Sequence, residues 1–124
     1  MKEAYCSYKI SKLLREKGFN ERIFEFYEGD KIKYARNGEG FRLSELPGIY
    51  YPHITHQMAM AWLRKKGIYI TIVYGDYPTK KKVFWTPQID SLEGFELPDN
   101  FYQEYDLYED AVEAALEYAL ENLI

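Results

Sequence analysis

The chain has 124 residues, 47% hydrophobic and 29% charged, which excludes a disordered or fibrous polymer and predicts one globular domain over residues 1–124. Its only cysteine, Cys6, has no partner for an internal disulfide, and no apolar run approaches the ~18 residues of a membrane span, so a reducing, cytoplasmic setting with neither signal peptide nor membrane anchor is expected. The net charge of -4 conceals a polarity: all 16 Lys and Arg lie between Lys2 and Lys82, and the residues after Lys82 carry acids alone.

Ile10, Leu13 and Leu14 share one face at helical spacing, with Cys6 one turn earlier, while Lys9, Lys12, Arg15 and Glu16 point elsewhere. This predicts an amphipathic first helix, closed by a left-handed cap at Gly18 with Phe19 packing back on the last turn. Residues 22–27 bring Ile23, Phe24, Phe26 and Tyr27 into a partly buried strand. A turn at Glu28, Gly29 and Asp30 and a return strand over Lys31–Ala35 complete a hairpin. Asn37–Pro52 holds three glycines and two prolines and reads as a loop packed by Phe41, Leu43, Leu46, Tyr50 and Tyr51, long enough to be a binding loop.

Thr55 is placed to cap a second helix through Met58, Ala59, Ala61, Trp62 and Leu63 that stops near Gly67, with Arg64, Lys65 and Lys66 complementing the dipole of its last turn. Ile68, Ile70, Ile72 and Tyr74 then alternate with Tyr69, Thr71 and Val73. Both faces are apolar or aromatic, which predicts a strand central in its sheet. After a turn at Gly75–Thr79, Val83–Ile89 returns as a strand that Pro87 confines to an edge or ends. Residues 91–100 are turn-like, with short strands expected at Phe95 and Leu97 and at Phe101–Gln103. Asp106 with Glu109 reads as a capping box for a last helix, whose apolar stripe is Tyr108, Val112, Ala115, Leu116, Ala119, Leu120 and Leu123. The expected architecture is α+β in the order α-β-β-α-β-β-α: three helices on one face of a mostly antiparallel, two-layer sheet of four or five strands.

The helix closing on Lys17, Gly18 and Phe19, the aromatic strand after it, Thr55 leading to Ala61–Arg64, the isoleucine strand and the final helix from Tyr108, Glu109, Asp110 and Ala111 occur in an order that resembles a group of small uncharacterised proteins. These are encoded by gut Bacteroidales-type bacteria and their phages or mobile elements. The resemblance covers nearly the whole chain and implies an α+β fold and a mobile-element context, but no catalytic residues, because that group has no assigned activity. The Asn37–Pro52 loop departs from its shorter members.

Read for chemistry, the residues offer fragments. His53 and His56 have the spacing of two zinc ligands but lack a third, and a helix entry explains them as well. Cys6 lies on an apolar face without a base, and Gly38 and Gly40 flank an acid that would repel phosphate. No cofactor and no metal is therefore expected, nor an enzyme. Glu109, Glu113, Glu117 and Glu121 form an i, i+4 row whose like charges cost a few tenths of a kcal/mol per pair. The row is solvated, is matched by the basic helix ends of the same chain, or meets a basic protein partner. That acidic row and the Tyr50 and Tyr51 loop are the expected surfaces for a protein partner or for self-association. The alternative is nucleic-acid binding at a hairpin tip, with Lys80, Lys81 and Lys82 on phosphates and Tyr77 stacking on a base. Against it, a strand separates that tip from Arg64–Lys66 by ~20 Å, so one continuous basic groove is not expected.

Overall fold

Ser7 starts the first helix in the structure, a computed structural model that describes residues 4–36, 38–91, 94 and 96–124. The Ser7 hydroxyl accepts the Ile10 N–H (3.3 Å), and helix α1 runs Tyr8–Glu16. It ends as its sequence predicts. Gly18 takes φ 91°, its N–H donates to the Arg15 carbonyl and the Phe19 N–H donates to that of Leu14, satisfying carbonyls the last turn would leave open. Cys6 is not on the helix, as its spacing suggested. It precedes the cap, buried, with its thiol 3.8 Å from the Thr55 carbonyl oxygen.

The chain divides into two compact units, Met1–Ala59 with Ile124, and Met60–Leu123. In the first, β1 (Glu25–Glu28) and β2 (Lys31–Tyr34) form the expected hairpin around Gly29 and Asp30. The segment read as a loop contains more. Beyond Asn37, which lies outside the described residues, it has a single 3-10 turn at Leu43–Glu45 and a strand, β3 (Tyr50–Pro52), antiparallel to β1. The sheet order is β2-β1-β3. The element order therefore gains a strand over the one expected.

Arg15 fixes this unit's irregular part. Its guanidinium donates to the carbonyls of Tyr50 (2.8 Å), Leu43 and Leu46 (3.4 Å each), tying α1 to β3 and to the 3-10 turn. Beneath these bonds Ile10, Leu14, Phe19, Ile23, Phe26, Leu43 and Ile54 are buried. Helix α2 (His56–Lys65) begins as expected, with the Thr55 hydroxyl accepting the Met58 N–H at 3.2 Å.

In the second unit β4 (Ile68–Tyr77) and β5 (Lys82–Ser91) pair antiparallel along their full length, joined by a 3-10 turn at Pro78–Lys80. Two separate sheets, of three strands and two, thus replace the single sheet of four or five. β4 is not central: β5 is its one strand neighbour among the described residues, and Tyr69, Val73 and Tyr74 are exposed. The edge assignment for Pro87 agrees with the geometry. The Trp85 N–H donates outward to the Tyr105 carbonyl, so the donor Pro87 lacks, two residues on, would face the same open edge. Gly75 lies opposite Phe84, whose ring occupies the space a Cβ would need.

Phe95 lies outside the described residues, Leu97 is irregular, and Phe101 closes a 3-10 turn (Asp99–Phe101) instead of starting a strand. Helix α3 (Tyr108–Asn122) packs on β5 and β4. Its cap is Leu107, with no side-chain bond: the helix starts one residue later than the expected capping box, so Asp106 stands outside the cap position, and its exposed carboxylate pairs with Lys82 at 3.2 Å. Ala111, Val112, Ala115, Leu116, Ala119 and Leu120 form its buried stripe.

Replacing Arg15 by Met keeps the aliphatic stem but strands three carbonyls, so the first unit should lose about 2 kcal/mol. Urea unfolding followed at the amides of Leu43, Leu46 and Tyr50 measures this.

Candidate functional site

Beside its buried stripe, α3 carries Ala114, Glu117, Tyr118 and Glu121 on one adjoining face, since residues three and four apart stack on a helix. Pro98, Phe101 and Tyr105 stand opposite, and together they enclose an open groove of about 300 Å3. Tyr105 is held at the outer edge of β5 by a mutual pair of backbone bonds with Trp85, 2.8 Å each. Phe101 packs on Tyr118 with ring centroids 5.0 Å apart. Trp85 braces the helix start through an edge-on contact with Tyr108 at 5.3 Å.

The electrostatics of the groove register on Tyr105. Its phenol is pushed above its ordinary value of 10.0, first by burial and then by the carboxylates of Glu117 and Asp110. The groove thus combines three ring systems with two carboxylates, Glu117 and Glu121. Such a surface stabilises a cation on an aliphatic stem: the stem lies on ring faces and the charge reaches a carboxylate.

The predicted site residues distribute unevenly around this groove. Glu117 and Glu121 line it, whereas Glu109 and Glu113 lie on the same helix short of it. Tyr50 and Tyr51 belong to β3, half-buried, with edge-on contacts to Phe26 and Tyr8 respectively. At the hairpin tip the Tyr77 hydroxyl donates to Glu104, and that bond raises its pKa. Lys80 lies 5.5 Å over the Tyr77 ring, Lys81 has a left-handed backbone (φ 51°), and Lys82 pairs with Asp106. The sequence marks Phe101 only as the start of a short strand and does not mark Tyr105 or Tyr118, because only the folded chain brings residues 98–105 against one flank of α3.

His53 and His56 part company. His56 opens α2 and is buried, while His53 Nδ1 is 2.7 Å from Glu25 Oε2. Among the described residues no group of three or more His, Cys, Asp or Glu is placed to hold a metal. The sequence spacing misses the Glu25 partnership because it depends on the β1–β3 register, which sets Phe26 opposite Pro52 and so brings His53 beside Glu25.

No family model, no curated protein and no solved structure matches the chain.

Because Tyr105 is shifted upward, its contribution to stability is complete below pH 10 and is lost as pH rises through the folded value. Phenolate absorbance should show Tyr105 ionising late. Glu117→Gln should move that ionisation down toward the ordinary value, and an unmoved titration would show that Glu117 does not act on the ring.

Proposed function

We propose that this protein is a non-catalytic interaction protein that takes a basic segment of a protein partner in the acidic, ring-lined groove along α3. One observation carries the reading: Glu117 and Glu121 line one groove with the rings of Phe101, Tyr105 and Tyr118. A Lys or Arg side chain entering it gains a carboxylate partner and covers ring surface otherwise open to water. Acids along one helix face also steer a basic partner toward the groove before contact. A cytoplasmic accessory role in a bacterial or mobile-element genome fits this reading.

Nucleic-acid binding at the hairpin tip fits less well. Glu104 and Asp106 stand against Tyr77 and Lys82, where phosphates would have to approach. Helix α3 also presents carboxylates along its length.

The test is fluorescence anisotropy of a labelled lysine- and arginine-rich peptide. Wild-type protein should bind it with an affinity that falls as salt rises. Glu117→Lys with Glu121→Lys should weaken binding about tenfold or more. Glu28→Lys with Asp30→Lys, on the exposed β1–β2 turn, changes net charge equally and should have little effect. Equal weakening by both pairs would reduce the attraction to overall charge and reject the groove.

A further inference from the structure

A second concavity lies in the first unit, away from α3. Tyr5, Ile23, Phe24, Glu25, His53, Ile54, Thr55 and Met58 enclose a cleft of about 160 Å3. Its polar end is built with care. The His53 N–H donates to the Glu25 carbonyl at 3.1 Å, and the imidazole Nδ1 meets the Glu25 carboxylate at 2.7 Å. One face of the imidazole stacks on Tyr5 (centroids 4.2 Å, planes 7° apart), and Tyr27 meets it edge-on at 5.0 Å. In the neutral ring the carboxylate fixes the proton on Nδ1 and leaves the Nε2 lone pair free to accept. Nε2 has no partner among the described residues and is not sealed from solvent.

The rest of the cleft is apolar. Ile23 and Ile54 are buried at its base, while Phe24 (53% exposed), Tyr5 (43%) and Met58 (42%) stand at its rim. Such rim exposure costs hydration free energy that an apolar occupant would recover. A site of ~150 Å3 with aliphatic and aromatic walls accommodates one six-membered ring. The thioether of Met58 and the rings of Phe24 and Tyr5 favour an aromatic one. Nε2 and the Glu25 carboxylate are both acceptors, so an anionic group is disfavoured and a hydroxyl donor is matched.

We propose that this cleft binds a single-ring phenol, its ring between Phe24, Ile54 and Met58 and its hydroxyl donating to His53 Nε2. A free small phenol and the side chain of a tyrosine share that chemistry. The inference is independent of the groove on α3 and would survive its failure.

The probes are p-cresol, toluene, benzoate and N-acetyltyrosinamide, titrated at pH 8 by ligand-observed NMR, with the His53 imidazole nitrogens followed in parallel. Toluene matches p-cresol in shape but lacks the hydroxyl. p-Cresol should bind about three- to tenfold more tightly than toluene and shift the Nε2 resonance. His53→Phe keeps a ring against Tyr5 and should abolish that preference while leaving toluene unchanged. If that variant does not fold, Met58→Lys, at the exposed rim, should weaken both ligands. N-acetyltyrosinamide binding like p-cresol identifies a tyrosine as the source, and binding of p-cresol alone identifies a free phenol. Equal affinity for p-cresol and toluene, preference for benzoate, or binding that ignores both substitutions would overturn the proposal.

Discussion

No cation follows Lys82, and the second unit is shaped by that constraint. The carboxylates of the C-terminal stretch must find partners earlier in the chain, stay in water, or wait for a partner molecule. Asp106 takes the first course with Lys82, one residue before the Leu107 cap of α3. Along the helix, like charges at i, i+4 spacing cost a few tenths of a kcal/mol per pair. Burying a leucine or valine side chain returns about 1.5–3 kcal/mol. The stripe of Ala111, Val112, Ala115, Leu116, Ala119 and Leu120 therefore outweighs the repulsion several times over, and packing keeps the helix despite its charge.

The adjoining face lines the groove. The helix sets Glu117 and Glu121 one turn apart, and β5 supplies the wall that faces them. Trp85 holds Tyr105 by two backbone bonds, and the pairing cannot extend toward Gln103 because Pro87 has no N–H to offer there. The segment that follows packs Phe101 on Tyr118 of α3, and Pro98, Phe101 and Tyr105 line the groove together with the helix. In the first unit a buried apolar set is again joined to a polar device, with Arg15 gathering three carbonyls and Glu25 orienting His53.

Local signals in the sequence match the structure where local chemistry decides the outcome. Gly18 closes α1, Gly29 and Asp30 turn the first hairpin, Thr55 caps α2, and Val112, Ala115, Leu116, Ala119 and Leu120 of the α3 stripe are buried, with Tyr108 and Leu123 half-buried at its ends. What escaped depends on pairing between distant residues. β3 has three residues and ends in a proline, so no alternation marks it, and only its register against β1 makes it a strand. β4 looked central because Tyr69, Val73 and Tyr74 are apolar or aromatic, yet they are exposed on a two-stranded ribbon. The acidic row was visible as a row. Its distinction between Glu117 and Glu121, which line a groove, and Glu109 and Glu113, which do not, came from Phe101 and Tyr105, placed by the fold alone.

The most direct measurement of the central claim is amide chemical-shift mapping on the labelled protein during titration with an unlabelled lysine- and arginine-rich peptide at low and at moderate salt. The account predicts shifts concentrated at Phe101, Tyr105, Ala114, Glu117, Tyr118 and Glu121 that shrink as salt rises. Shifts centred on the Tyr77–Lys82 tip, or spread evenly over every exposed carboxylate, would contradict it.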